Sequence, residues 1–178
     1  HSNDAHGFAA FVGGGKFNTA TNFYTTVGGG FRNANTKKFS TIGGGSNNDA
    51  DGYASTISGG RLNQAFGYVA TVAGGYGNVA MGNKCNIAGG VGNTVEGDYA
   101  AVLGGSSATA SGEFSLAFGY EARANEDCSG VLNFQSDTAC DSTGENTLHI
   151  CAPDGLFVNG VQVDATFKNG TTNVVHFS

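Results

Sequence analysis

One fifteen-residue stretch, residues 61–75, reads RLNQAFGYVATVAGG, and its pattern recurs along most of the chain. A glycine doublet closes it, and the first glycine of the doublet returns every fifteen residues without an insertion or a deletion. This column consists of Gly14, Gly29, Gly44, Gly59, Gly74, Gly89, Gly104 and Gly119. A second glycine follows at each position except the last, where Tyr120 stands instead. A constant period of this length is typical of repeat proteins.

Two further columns accompany the doublet. An asparagine stands three residues after the second glycine, and another glycine commonly follows four residues after that asparagine. The asparagines are Asn18, Asn33, Asn48, Asn63, Asn78 and Asn93. Stacked repeats would turn this column into a ladder of side-chain amides that bond one turn of chain to the next. The glycines predict positive-φ corners, which so short a turn requires.

A short segment rich in β-branched residues lies between these glycines, as in residues 69–72, Val-Ala-Thr-Val. Such segments predict strands, and alternation places Val72 and its equivalents on an inner face with small residues. The opposite face is aromatic and polar together, which is typical of an outer wall or a subunit contact. We expect this candidate contact face to contain Tyr24, Phe39, Val69, Tyr99, Phe114, Thr26, Thr41, Thr56 and Thr71.

A helical repeat is excluded because each glycine in a helix interior costs roughly 1 kcal/mol. The consistent solution is an all-β fold, a parallel β-solenoid in which each fifteen-residue repeat makes one coil. Coils stack about 4.8 Å apart, as strands do in a sheet. We expect about eight coils, which form a repeat domain over residues 1–124.

This pattern of a strand, a glycine doublet and a small residue before the next glycine resembles the head repeats of trimeric autotransporter adhesins. Residues 65–75, AFGYVATVAGG, are also similar to repeats in phage tail fibres and other bacterial surface proteins. The resemblance covers residues 3–124. It implies a left-handed parallel β-roll in which three chains associate around one axis. The period here is one residue longer than is usual in that family, which also typically lacks cysteine.

After Tyr120 the fifteen-residue register stops, and residues 125–178 predict a small antiparallel β-meander that caps the solenoid or serves in assembly. Strands are predicted at residues 131–134 and 147–150, followed by a turn at 153–155. Asn159-Gly160 and Asn169-Gly170 each lie between apolar segments, which is a strong hairpin signal. Asn169 also begins an Asn-Gly-Thr sequon for glycosylation in a eukaryotic secretory setting.

The four cysteines are unevenly placed, with Cys85 inside the repeats and Cys128, Cys140 and Cys151 close together beyond them. No Cys-x-x-Cys pair occurs, so disulfide use outside the cytosol is the favoured interpretation. Cys140 can pair with Cys128 or with Cys151, and both alternatives stay open. Cys85 is expected to be a free core thiol unless the tail folds back along the rod.

The net charge of −6 arises entirely in the tail. Residues 1–120 hold six basic and six acidic side chains, whereas residues 121–178 hold two basic and eight acidic ones. No basic stripe is present, so we expect no nucleic-acid partner. No apolar run reaches the roughly 20 residues of a membrane span.

No grouping of side chains predicts catalysis, a cofactor or a metal. The histidines, His1, His6, His149 and His176, share no metal-ligand spacing. Gly75-Tyr76-Gly77 opens no helix and therefore does not predict a phosphate loop. We expect no enzyme activity, no cofactor, no metal site and no catalytic residue.

These observations predict an extracellular or cell-surface protein that acts through a rigid, repetitive wall. The leading hypothesis is an adhesin or surface-fibre head that self-associates as a homotrimer and contacts a host or matrix protein or a glycan. The first alternative is a structural subunit of an extracellular filament or tail fibre. The second alternative is an ice-binding protein, because regular threonines on a flat face can order water. That threonine column covers only four coils, and threonine ladder packing explains it equally well.

Overall fold

The structure, a computed structural model, describes residues 2–152 and the backbone of residues 157–158 and 161–162. Within these residues every regular element is a β-strand, and the chain is an all-β, parallel β-solenoid, as its repeat predicts. It has ten coils rather than the predicted eight. Each coil contributes one short strand to each of two parallel sheets. We number the coils 1 to 10 from the N-terminal end.

The first sheet contains the odd-numbered strands in chain order, one per coil. They are β1 (Asp4–Ala5), β3 (Thr19–Ala20), β5 (Ala34–Asn35), β7 (Asp49–Ala50), β9 (Gln64–Ala65), β11 (Val79–Ala80), β13 (Thr94–Val95), β15 (Thr109–Ala110), β17 (Ala122–Ala124) and β19 (Cys140–Asp141).

The second sheet contains the even-numbered strands, again one per coil. They are β2 (Phe11–Val12), β4 (Thr26–Val27), β6 (Thr41–Ile42), β8 (Thr56–Ile57), β10 (Thr71–Val72), β12 (Asn86–Ile87), β14 (Ala101–Ser106), β16 (Leu116–Tyr120), β18 (Gly130–Asn133) and β20 (Leu148–Cys151).

A third edge of the coil consists of single parallel bridges rather than strands. They connect Lys16, Phe31, Ser46, Arg61, Tyr76, Val91 and Ser106 in successive coils. The pairing across coils is fifteen residues throughout this part of the rod, so that Thr71 pairs with Thr56 on one side and with Asn86 on the other. Equivalent residues therefore form straight columns, which is what the sequence period predicts.

The core is narrow and follows the predicted alternation. From β3 to β15, the second residue of each two-residue strand points inward and is fully buried, as at Val27, Ile42 and Ala65. Asn35 is an exception among the buried alanines of the first sheet. Its amide Nδ2 donates to the carbonyl oxygens of Thr26 (3.0 Å) and Ser40 (2.7 Å), so the polar side chain is satisfied inside the rod.

The strands are shorter than the sequence pattern predicts. Tyr24 and Phe39 were expected to begin strands, but their φ angles are 57° and 63°, in the left-handed region. They belong to a tight turn, in which the Tyr24 N–H donates to the Phe8 carbonyl one coil away (2.9 Å). The turn takes up the residues that β-propensity assigned to the strand, and each second-sheet strand of coils 1 to 6 is left with two residues.

The glycine columns serve two different purposes. The second glycine of each doublet has the predicted positive φ, for example 91° at Gly45 and 95° at Gly75. The later column, which includes Gly52 and Gly67, is not left-handed, contrary to the prediction. There a Cβ would overlap the backbone carbonyl of the next coil, so glycine allows close stacking of the coils instead.

The solenoid continues past residue 124, which corrects the prediction of an antiparallel meander beginning at 125. Strands β18 and β20 lie parallel in the second sheet, with Leu132 opposite Ile150. The spacing between coils changes to 14 residues at β17 and to 18 residues at β19. A parallel ladder needs backbone pairing and small inward side chains but no fixed period, because the loops between strands can differ in length from coil to coil.

Beyond the rod, two strands form an antiparallel pair: β21 (Phe157–Val158) and β22 (Val161–Gln162). Val158 pairs with Val161 and Phe157 with Gln162, which confirms the hairpin that Asn159-Gly160 predicts. The predicted turn at 153–155 and the second hairpin at Asn169-Gly170 lie outside the described residues, as do the sequon at Asn169, His1 and His176.

Candidate contact surfaces of the rod

The six asparagines of the predicted ladder lie in one buried column. In each interior coil, the backbone N–H donates to the Oδ1 of the asparagine one coil before, for example Asn33 to Asn18 (3.0 Å). The amide Nδ2 of Asn33 also donates to Gly29 O, four residues earlier (2.9 Å), and to Gly45 O, twelve residues later (3.0 Å). The Asn93 Oδ1 accepts the N–H of Ala108, which stands where the next asparagine is due. This column holds the coils together and faces no solvent.

The two glycines of each doublet lie in different surroundings, as coil 3 illustrates. A Cβ at Gly45 would overlap the Gly60 carbonyl oxygen and lie 2.7 Å from the Asn48 Nδ2. A Cβ at Gly44 would meet no atom within 4 Å, and the φ of Gly44 lies outside the positive range. The fold of the single chain therefore accounts for the second glycine of the doublet, whereas the first lies on an open surface.

An aromatic ridge runs along the turn that connects the two sheets. We call turn ridge the two adjacent residues of this turn in each coil: Phe8 and Ala9, Phe23 and Tyr24, Lys38 and Phe39, Tyr53 and Ala54, Tyr68 and Val69, Asn83 and Lys84, Asp98 and Tyr99, Glu113 and Phe114, Asp127 and Cys128, and Glu145 and Asn146. The second residue of each pair has a positive φ of 53° to 63°. This conformation turns the side chains outward in register.

Aromatic rings on the turn ridge contact one another from coil to coil. Tyr24 stacks on Phe39 with ring centroids 5.4 Å apart, and Tyr53 stacks on Tyr68 at 5.3 Å. Phe39 and Tyr53 meet edge to face, which joins the two stacks into one series. These four side chains remain 43% to 51% exposed. The result is a continuous, solvent-facing aromatic surface over coils 2 to 5.

The sequence identified only half of this surface. Tyr24, Phe39, Val69, Tyr99 and Phe114 are exposed as predicted, but the preceding column contributes Phe8, Phe23, Tyr53 and Tyr68. The sequence prediction assigned the column of Phe8, Phe23, Tyr53 and Tyr68 to no face, because it took the turn for the start of an extended strand. The recurrence of aromatic residues one position earlier in the same register was the available signal.

Polar groups replace the aromatic series in coils 6 and 7. The Lys84 Nζ lies 4.7 Å from the centroid of the Tyr99 ring and donates to its hydroxyl (2.8 Å), and this hydrogen bond raises the pKa of Lys84. Asp98 accepts hydrogen bonds from the side chain and backbone of Asn83, which lower the pKa of the carboxyl. Tyr99 then stacks on Phe114 at 4.9 Å. Charged and aromatic groups therefore share this half of the turn ridge.

Thr26, Thr41, Thr56 and Thr71 lie in register on the outer side of the second sheet and are half-buried. Asn86, Ala101 and Leu116 continue the same column. Through coils 1 to 7, the six residues from the position before each even-numbered strand to the coil's last glycine carry no charge. We call this region the uncharged strip.

The third edge carries basic and aromatic side chains. The Arg32 guanidinium lies 5.1 Å from the Phe31 ring centroid, and Lys16 lies 5.1 Å from that of Phe17. Arg61 lies 5.9 Å from the Tyr76 ring. These pairs are spread over coils 2 to 6 on the side of the rod that includes the single bridges.

The structure pairs Cys140 with Cys151, one of the two alternatives left by the sequence, with their Cα atoms 6.2 Å apart. Cys128 is exposed on the turn ridge as a free thiol. Cys85 is a free thiol in the core, as expected, and burial raises its pKa to about 11. Within residues 2–152 no group of three or more His, Cys, Asp or Glu side chains is arranged to hold a metal ion.

The fold and these surfaces define the chain as a β-solenoid repeat protein. In comparisons with known proteins, no family model and no curated protein matched it. No helical segment among the described residues has the length and apolarity of a membrane span.

Proposed function

We propose that the protein is a non-enzymatic adhesive rod that works outside the cell, as a surface adhesin or the head of a surface fibre. The turn ridge is its contact surface. The observation that carries this proposal is the continuous aromatic series of Tyr24, Phe39, Tyr53 and Tyr68, which is about half exposed.

An exposed aromatic series of this kind favours a role in binding. Contiguous apolar surface on a soluble protein marks interaction sites, and tyrosine and phenylalanine are enriched where proteins meet. The stacked rings are held from coil to coil and lose little conformational entropy when a partner covers them. A host or matrix protein, a glycan, or another copy of the chain are the partners that the proposal includes.

The extracellular setting is supported by the Cys140–Cys151 disulfide, since such bonds persist in oxidising compartments. Self-association, as the homotrimer implied by the resemblance, is part of the proposal. The uncharged strip supports it, because a face without charge packs on its own copy without like-charge repulsion.

The test is retention of protein-coated beads on immobilised matrix proteins, on immobilised glycans and on a surface coated with the chain itself. We expect wild-type beads to be retained and the double variant Tyr53→Ser/Tyr68→Ser to lose most of that retention. Tyr76→Ser/Val91→Ser is the matched control, because it removes two exposed apolar side chains in consecutive coils of the third edge. Equal loss in both variants, or no retention of the wild type on any surface, would contradict the proposal.

A structural subunit of a filament is the second candidate, and the charge distribution along the rod favours it. Residues 2–84 contain six basic and three acidic side chains, whereas residues 85–152 contain one basic and nine acidic ones. A rod with opposite charge at its two ends favours end-to-end association. Electron microscopy distinguishes the candidates, since filaments that grow with concentration support the filament and discrete particles support the adhesin.

A further inference from the structure

The turn ridge changes its charge along its length. In coils 1 to 5 the ridge is aromatic and carries one charged side chain, Lys38, next to Phe39. The Lys38 Nζ lies 5.0 Å from the Phe23 ring centroid. In coils 7 to 10 the corresponding column carries Asp98, Glu113, Asp127 and Glu145. Tyr99 and Phe114 alternate with the first two of these carboxylates, so the acidic half keeps an aromatic character.

We propose that the partner of the turn ridge is the turn ridge of a second copy of this chain, lying antiparallel. A twofold axis between coils 5 and 6 places coil 3 of one chain opposite coil 8 of the other. In that register Lys38 faces Glu113 and Phe39 faces Phe114. Tyr53 faces Asp98, and Phe23 and Tyr24 lie opposite Asp127 and Cys128.

Charge complementarity selects this orientation. In the antiparallel register, the aromatic half of each ridge, which carries Lys38, lies against the half of the other that carries the four carboxylates. Parallel packing in register through the same ridge would set Lys38 beside Lys38 and Glu113 beside Glu113. Like charges that meet at an interface oppose association, and opposite charges fix its register. Because the arrangement is isologous, each contact occurs twice and its effect doubles.

The size of the contact predicts a weak dimer. Ten coils at about 4.8 Å give a ridge of about 48 Å, but the ridge is only two side chains wide. Contacts of that size lie at the small end of specific interfaces. We therefore expect dissociation in the micromolar range, with the aromatic pairs supplying most of the affinity and the exposed ion pairs supplying orientation. The ion pairs also make the association weaker at high salt.

This inference names the partner of the proposed contact surface, and it rests on the proposed function because it takes the turn ridge as that surface. Antiparallel pairing is the geometry in which rods that project from two facing surfaces meet. The contact would then be between like molecules, and the uncharged strip on another side of the rod would stay available for association within one fibre.

The test is a charge exchange measured by sedimentation velocity on the full chain. Lys38→Glu places two carboxylates opposite each other at each of the two sites, and we expect it to weaken self-association at least tenfold. The double variant Lys38→Glu/Glu113→Lys restores opposite charges and is expected to return the dissociation constant to within about threefold of wild type. Arg61→Glu on the third edge is the matched control, with the same charge change away from the ridge. Circular dichroism verifies that each variant keeps the fold.

A second measurement fixes the orientation. Zero-length carbodiimide coupling of the wild type is expected to join Lys38 of one copy to Glu113 of another, as identified by mass spectrometry of the peptides. A wild type that stays monomeric at millimolar concentration, a charge-exchange variant that does not recover, or links only between the same coils of two copies would overturn the antiparallel pairing. Retention of monomeric protein on a matrix protein or glycan would overturn the inference and leave the proposed function standing.

Discussion

Coils 1 to 8 and coils 9 and 10 share the same parallel backbone pairing, but different interactions join successive coils in the two regions. In the first eight, strands pair fifteen residues apart until the register shifts to 14 between Val102 and Gly104, and the asparagine column with its glycine corners bonds each of coils 1 to 7 to the next. In the last two, the spacing becomes 14 and then 18 residues. There the final strands β19 and β20 are joined by the Cys140–Cys151 disulfide, and Asn133 donates to the carbonyl oxygens of Tyr120 and Thr138.

The difference separates what the repeat enforces from what the ladder itself requires. Alanine and valine still point inward in coil 9, at Ala122, Ala124 and Val131, and this suffices to keep two parallel sheets. The fifteen-residue period adds straight side-chain columns on the outside. The period therefore explains the straight outer columns of coils 1 to 8, whereas the rod and the turn ridge continue through coils 9 and 10 without it.

The largest effect is expected from breaking the asparagine column in mid-rod. The Asn63 side chain donates to Gly59 O and Gly75 O and accepts the N–H of Asn78. Asn63→Ala leaves these buried groups unpaired, so we expect the free energy of unfolding to fall by about 3 to 5 kcal/mol. Denaturant unfolding measures this. Gln64→Ala, at an outward position of the next residue, is the control and is expected to change stability by less than about 1 kcal/mol.

The next effect compares the two glycines of one doublet. Gly45→Ala forces a Cβ against the Gly60 carbonyl at a φ of 91° and is expected to cost about 3 kcal/mol. Gly44→Ala places the same methyl group in open space and is expected to change stability by no more than about 0.5 kcal/mol. Thermal unfolding of the two variants decides the matter. Equal destabilisation would mean that the open glycine also serves the fold of the single chain.

The disulfide is expected to act locally, in contrast to the asparagine column. It closes a segment with a sequence separation of 11, and its loss in Cys140→Ser/Cys151→Ser removes about 3 kcal/mol by chain entropy. Hydrogen exchange is expected to become faster in coils 9 and 10 and to stay unchanged in coils 2 to 7. Cys128→Ser serves as the control. Faster exchange along the whole rod would contradict a separate stabilisation of the two regions.

The smallest effect concerns the buried thiol of Cys85. Its folded pKa of about 11 lies above the ordinary value of 9.0. The unfolded chain therefore releases its proton first, and stability is retained below pH 9 but falls between pH 9 and 11. We expect a loss of about 1 kcal/mol by pH 10 from this thiol, and a smaller pH dependence in Cys85→Ala. Identical pH profiles for the two proteins would exclude this contribution.

The repeat coils were predictable because the same residue pattern recurs in each of them. The period fixed the parallel register, and the parity of Val27 and Ile42 with Thr25 and Ser40 assigned the interior. Coils 9 and 10 were not predictable, since a ladder without a period resembles any short run of strands. The turn at Tyr24 was also missed, because a left-handed aromatic residue has no signal in β-propensity. The sequence prediction therefore also missed the first residue column of the turn ridge.

The measurement that tests the turn ridge most directly is hydroxyl-radical footprinting of its tyrosines, in free protein and in protein bound to its partner surface. Tyr53 and Tyr68 lie on the ridge and Tyr76 lies on the third edge, with similar exposure in the free chain. We predict that binding protects Tyr53 and Tyr68 at least several-fold while Tyr76 reacts as before. Protection of Tyr76 with unchanged reactivity of Tyr53 and Tyr68 would contradict the ridge as the contact surface.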